Sequence, residues 1–156
     1  MPSHNEKIVF KTALKNACLE LLQLRITHAN QAMQEAQVSA NSQEKSSAGD
    51  KYETSRAMGQ IDRDLNAAQW MQAKEDYKLL ENIPVDKLLN HIAPGAVFEL
   101  ENTFYFAATG LGTVRLNNLN VIVISCKSPL FQQLKTKQVG DSLIFNTKEL
   151  KVLDVY

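Results

Sequence analysis

The sequence is short of the features that would give a quick assignment. Lys plus Arg and Asp plus Glu number 17 each in 156 residues, so the chain carries no net charge at pH 7. A balanced chain lacks the positive field that concentrates a protein on nucleic acid or an anionic membrane, and direct sequence-specific nucleic-acid binding is not expected. Nowhere do about eighteen apolar residues follow one another, and the opening MPSHNEKIVF has no continuous apolar core of secretory type, so a cytoplasmic protein without membrane association is expected. There are two cysteines. Cys18 falls on the apolar side of a helical segment and Cys126 ends a β-branched run, which reads as two buried, reduced thiols rather than a disulfide or a metal pair.

The chemistry of a self-contained active site is also missing. His4, His28 and His91 have no metal-ligand spacing, and no P-loop, Gly-x-Ser-x-Gly elbow or Cys-x-x-Cys pair occurs. Gly110-Leu111-Gly112 lacks the third glycine and the strand-to-helix setting of a dinucleotide fingerprint, and reads as a turn. The chain is therefore read as a non-enzyme with no cofactor or metal of its own.

What is present is a change of period. Phe10, Leu14, Ala17, Leu21, Leu24 and His28, then Met58, Ile61, Leu65, Ala68 and Leu79, recur at three- and four-residue intervals, which predicts two long helices meeting along a narrow seam. At roughly 1.5 Å per residue, arms of about thirty residues would each run on the order of 45 Å. His28 is read as a polar interruption that sets register. The first arm is expected to begin between Ser3 and Lys7 and to end near Val38; the second runs from about Asp50 to Asn82, where Ile83-Pro84 stops it. Between them SANSQEKSSAGDKYE (39–53) reads as the polar tip of an antiparallel coiled-coil hairpin. Trp70 is read as a packing residue near the base.

Beyond Pro84, Val85–Ile92 has helical apolar spacing and Ala93-Pro94-Gly95 is a turn signal. Strands are then expected over Ala96–Ala107, Thr113–Cys126, Ser142–Asn146 and Leu150–Val155, with turns at Asn102-Thr103 and Asn117-Asn118 and with Ser128-Pro129 capping a short helix between the second and third. The predicted class is α+β: a helical hairpin (1–82, tip near 39–50) followed by a small antiparallel-sheet domain (83–156).

A long hairpin followed by a small sheet domain containing SPLFQQLKTKQVGDSLIF resembles the Gre family of bacterial transcription elongation factors, most specifically between Ser125 and Phe145. The matching residues are Ser128-Pro129-Leu130, the basic Lys135 and Lys137, and Val139-Gly140-Asp141. The resemblance implies an FKBP-like closing domain that docks on RNA polymerase and a monomeric factor whose hairpin enters the secondary channel. In that family two tip acids help hold a second Mg²⁺ of the polymerase for transcript cleavage. Anchoring the family's tip tyrosine on Tyr52 keeps its serine as Ser47 and puts Lys45 and Ala48 where the two acids belong. Neither can ligate Mg²⁺, which leaves Glu44, Asp50 and Glu53 as the displaced carboxylates that could assist the polymerase metal site. The partner-binding residues implied are Ser47, Tyr52, Ser128, Pro129 and Phe131. Two other classes remain open: a prolyl isomerase-like FKBP-fold protein using Phe104, Tyr105, Phe106 and Phe131, and a non-enzymatic coiled-coil adaptor.

Overall fold

The computed structural model describes residues 2–43 and 49–156, and the side-chain environments of 2–38, 54 and 56–156. Helix α1 (His4–Gln43) opens with a capping box. The Ser3 hydroxyl accepts the Glu6 N–H at 3.2 Å and the Glu6 carboxylate accepts the Ser3 N–H at 3.0 Å. α1 passes through Ser39 and Asn41, which were expected in the turn. Each residue added to an existing helix gains a backbone hydrogen bond, and that outweighs a propensity penalty of about 0.5 kcal/mol per residue. Helix α2 (Gly49–Glu81) ends one residue before the expected Asn82, just ahead of Pro84.

The helices run antiparallel, with Leu22 to Ala32 of α1 lining one cleft together with Asn66 to Asp76 of α2. The seam is displaced from the predicted stripe. Among the described side chains of α1 the buried ones are Lys11, Leu14, Cys18, Leu22 and Ala29, while Leu24 and His28 are exposed. On α2 Ala73 and Leu80 are buried, whereas Met58, Ile61, Leu65 and Leu79 are at least half exposed on the outer side. Small and amphipathic residues (Asn66, Ala67, Trp70, Ala73, Tyr77) form the inner side of α2, so apolar spacing alone selected the wrong face. Trp70 is half-buried, with the Lys74 ammonium 4.3 Å from its ring centre.

The chain packs as two compact units, Met1–Leu19 with Lys78–Tyr156, and Glu20–Tyr77. Within the first, Val85–Ile92 is irregular rather than the helix its spacing suggested. Its last residue is committed elsewhere: the Ile92 N–H donates to the Lys137 carbonyl at 2.8 Å and the Ile92 carbonyl accepts the Thr136 N–H at 2.8 Å. Val85 and Ile92 are nevertheless buried.

Six strands follow: β1 (Val97–Leu100), β2 (Thr103–Ala108), β3 (Gly112–Leu116), β4 (Leu119–Ser125), β5 (Ser142–Phe145) and β6 (Lys148–Val155), in the order β3-β4-β2-β1-β6-β5. Helix α3 (Pro129–Leu134) lies between β4 and β5 in sequence. The turn expected at Asn102-Thr103 falls one residue earlier, at Glu101-Asn102, Asn117-Asn118 turns as expected, and Asn146-Thr147 makes the same tight turn, all with positive φ at both central residues. One pair departs from the antiparallel expectation: β2 and β4 are parallel, because β3 forms a return strand between them in the chain.

Alternation sorts the sheet residues. Phe98, Leu100, Ala107, Val152 and Val155 pack with Phe131 and Leu134 of α3 in one core cluster. Val97, Phe106, Val121 and Val123 are buried on the opposite face. Gly95 joins this core to the irregular segment at φ +91°, and a Cβ there would lie 2.4 Å from the Pro84 carbonyl oxygen. Gly112, at φ +75°, has nothing within 4 Å of the same position. Gly95→Ala is expected to cost about 3 kcal/mol or more in urea unfolding, against about 1 kcal/mol for Gly112→Ala, which bears only the left-handed backbone penalty. Equal losses would show that the contact with Pro84 does not govern this joint.

Candidate functional site

Of the residues proposed for the hairpin tip, Glu44 and Ser47 lie outside the described residues. Asp50, Tyr52 and Glu53 fall in the opening turns of α2, and their side chains likewise lie outside the described set. Further along the hairpin, Ala29, Ala32 and Ala73 thin the seam and leave a polar cleft of about 480 Å³. Arg25, His28, Asn66, Gln69 and Asp76 line it. His28 thus borders a cleft and is exposed, which corrects its expected place inside the seam.

The segment that carries the family-like residues is ordered by its own side chains. The Ser128 hydroxyl caps α3 by accepting the Phe131 N–H at 3.2 Å, and Pro129 takes the first helical position, where its missing N–H costs nothing. Gly140 turns at φ +93°, the Asp141 carboxylate accepts the Gln138 N–H at 2.8 Å, and the Gly140 N–H donates to the Val152 carbonyl at 2.9 Å. Pro129 is exposed and so are Lys127 and Lys135, with Val139 and Ile144 the most exposed apolar residues of the segment. Phe131 is different. It is 4 % exposed inside the core cluster and cannot reach a partner without unpacking that cluster.

The aromatic residues considered for an isomerase pocket do not converge. Phe104 and Phe106 share one face of β2, while Tyr105 points to the other, stacked on Phe98 at 5.3 Å. Among the described residues no group of three or more His, Cys, Asp and Glu is arranged to hold a metal ion, and no helix is long and apolar enough to cross a membrane. Both cysteines are free; Cys18 is buried and Cys126 half-buried, and burial pushes both thiols up, Cys18 to about 11.

Sequence reasoning missed a pair of lysines. Lys11 is fully buried and donates to the Lys87 carbonyl at 2.9 Å. Lys15, one turn on, donates to the carbonyls of Glu81 at 3.0 Å and Ile83 at 2.7 Å. The second ammonium meets the end of α2, where unpaired carbonyls and the helix dipole favour a cation. Desolvation by burial brings Lys11 down from 10.5 to about 8, partly offset by Asp86. The available signal was that Lys11 stands one turn before Leu14 and Cys18 on their own stripe, but a lysine there reads as outward-facing by residue type.

Neither a family model nor a curated protein matches the chain.

The Lys11 environment makes a signed pH prediction. Its folded value lies below its unfolded one, so from about pH 8 to 10.5 the unfolded chain holds more protons and stability rises with pH through this residue. Cys18 acts oppositely, since a raised thiol loses its contribution as pH climbs from 9.0 towards 11. The difference between wild type and Lys11→Met isolates the lysine: in urea unfolding, wild type should gain about 1 kcal/mol on the variant between roughly pH 8 and 9. A difference independent of pH would mean the ammonium is not desolvated in the fold.

Proposed function

We propose that this chain is a Gre-like, polymerase-binding regulator of bacterial transcription elongation, acting in the cytoplasm as a monomer. The observation that carries the reading is the α3 segment. Ser128-Pro129-Leu130 and Val139-Gly140-Asp141 form a capped helix and a tight turn on a small α+β unit that follows two long antiparallel helices. The cap and turn are built by side chains, whereas Pro129, Lys127, Lys135 and Val139 remain exposed and free of a packing role. That division suits a docking edge: rigid support beneath, mixed apolar and basic contacts above.

In this reading the sheet unit docks on RNA polymerase and the hairpin enters the secondary channel. The factor has no metal of its own; any cleavage would use the polymerase's Mg²⁺, with Glu44, Asp50 and Glu53 as the carboxylates near the tip. Because Lys45 and Ala48 occupy the family's acidic positions, occupation of the channel is the primary activity and cleavage a secondary one.

The tagged chain should retain RNA polymerase from an extract of the source bacterium. Pro129→Asp, at an exposed first helical position that tolerates a carboxylate, should weaken that binding by about tenfold while leaving the fold unchanged. On stalled elongation complexes, any transcript cleavage that the chain stimulates should disappear in Glu44→Ala/Asp50→Ala. Failure to retain polymerase would overturn the reading. Cleavage indifferent to the double substitution would remove the tip acids from it.

A further inference from the structure

The face of the sheet opposite α3 is not closed over completely. Within the Met1–Leu19 and Lys78–Tyr156 unit, the first turns of α1, residues of β1, β2 and β6 and the start of β4 enclose a groove of about 730 Å³. This is within the usual range for small-ligand sites. Its walls are apolar: Val9, Phe10, Phe104, Leu119 and Leu153. Val9 is 67 % exposed and Leu153 41 %, so apolar side chains stand open to solvent at a concave site rather than scattered over a convex surface.

A bulge contributes to this shape. The β1–β6 register shifts between Glu99 and Leu100, which pair with Asp154 and Val152, leaving Leu153 as the extra residue. Strict alternation would send Leu153 and Asp154 to opposite faces, but both line the groove. Bulges re-aim side chains in this way beside binding sites.

Charged side chains line the groove as well, Glu6, Lys7, Glu99 and Asp154, and three carboxylates against one ammonium give it a sign. Glu99 and Asp154 are directly opposite each other across β1 and β6, a like-charge arrangement that costs a sheet stability. Lys7 lies 3.7 Å from Asp154 and 4.7 Å from the centre of the Tyr156 ring. The carboxylate of Glu99, a half-buried residue, has no hydrogen bond or ion pair among the described residues. Burial, then Asp154 and Glu99, push the Tyr156 phenol up to about 12, consistent with a negative local potential. Lys7 compensates Asp154 and the Ser3 N–H holds the Glu6 carboxylate, which leaves Glu99.

We propose that this groove binds an amphipathic organic cation, its apolar body between Phe10, Phe104 and Leu119 and its ammonium on Glu99. The apolar walls supply most of the affinity and the uncompensated carboxylate selects the charge. The site lies across the sheet from α3 and does not depend on polymerase binding.

Two-dimensional NMR of the full chain, titrated with naphthylethylamine, naphthylethanol and naphthylacetate, tests it. These probes share one apolar body and differ in charge. The amine should shift resonances of Val9, Phe104 and Leu119 and bind about tenfold more tightly than the alcohol, with the acid weakest. Glu99→Gln, isosteric and free of the like-charge clash, should bring the amine down to the alcohol's affinity and leave the alcohol unchanged. Phe104→Ala should weaken amine and alcohol alike. Equal affinities for amine and alcohol, perturbations outside the groove, or no binding by the amine would each overturn the proposal.

Discussion

Two ammonium groups set the frame of the sheet-bearing unit. Where α2 ends, its last carbonyls have no helical partner, and the segment after it runs without regular structure as far as β1. Orphan acceptors in a half-buried place are costly unless something donates to them. Lys15 supplies donors to Glu81 and Ile83, and Lys11 does so for Lys87. Both lie on α1 before Leu19, so the same helical turns that donate to this linker belong to the unit that holds the sheet. The depressed Lys11 ammonium is the cost of the arrangement: a charge is held out of water because the carbonyl needs it there.

The sheet then serves two purposes with its two faces. Facing α3, Phe98, Leu100, Phe131 and Leu134 fill the space and leave those aromatic residues unavailable to a ligand. On the other face the buried valines and Phe106 give way to a groove that charged residues of α1, β1 and β6 also line. Period-two alternation makes this division possible and the β6 bulge modifies it at one point. An isomerase-like use of the aromatic cluster is disfavoured by the same alternation, since Phe104 and Tyr105 are adjacent in sequence and opposed in space.

Local signals in the sequence led to the correct elements at several places where a residue acts on its own backbone, though not at Ser39 and Asn41, which α1 runs through. Ser128-Pro129 starts a helix because a hydroxyl can cap and a proline cannot donate, and Asn117-Asn118 turns because asparagine tolerates positive φ. The signals misled where a third element decides. Val85–Ile92 has the spacing of a helix, but Ile92 is hydrogen-bonded to the chain after α3. The hairpin seam was placed on Met58, Ile61 and Leu65 because they are apolar, yet packing favoured the side with small residues, where two backbones can approach. Lys11 was invisible because nothing local tells a lysine that a carbonyl seventy-six residues away lies within reach. The groove could not be read at all, since it depends on a register shift between β1 and β6.

The two units are therefore held in different ways, and this bears on how a partner would be recognised. The sheet unit has a filled core, capped termini and lysine ties, so its exposed residues around Pro129 are presented on a rigid base. Among the described residues of the Glu20–Tyr77 unit the buried apolar side chains are Leu22, Ala29 and Ala73, and small residues bury little area per turn. A helix pair joined by so thin a seam opens more readily than a packed sheet. Affinity for a partner is best drawn from the rigid surface, where no ordering cost is incurred on binding. In the proposed reading the hairpin enters a channel, a role in which its length matters more than its stability.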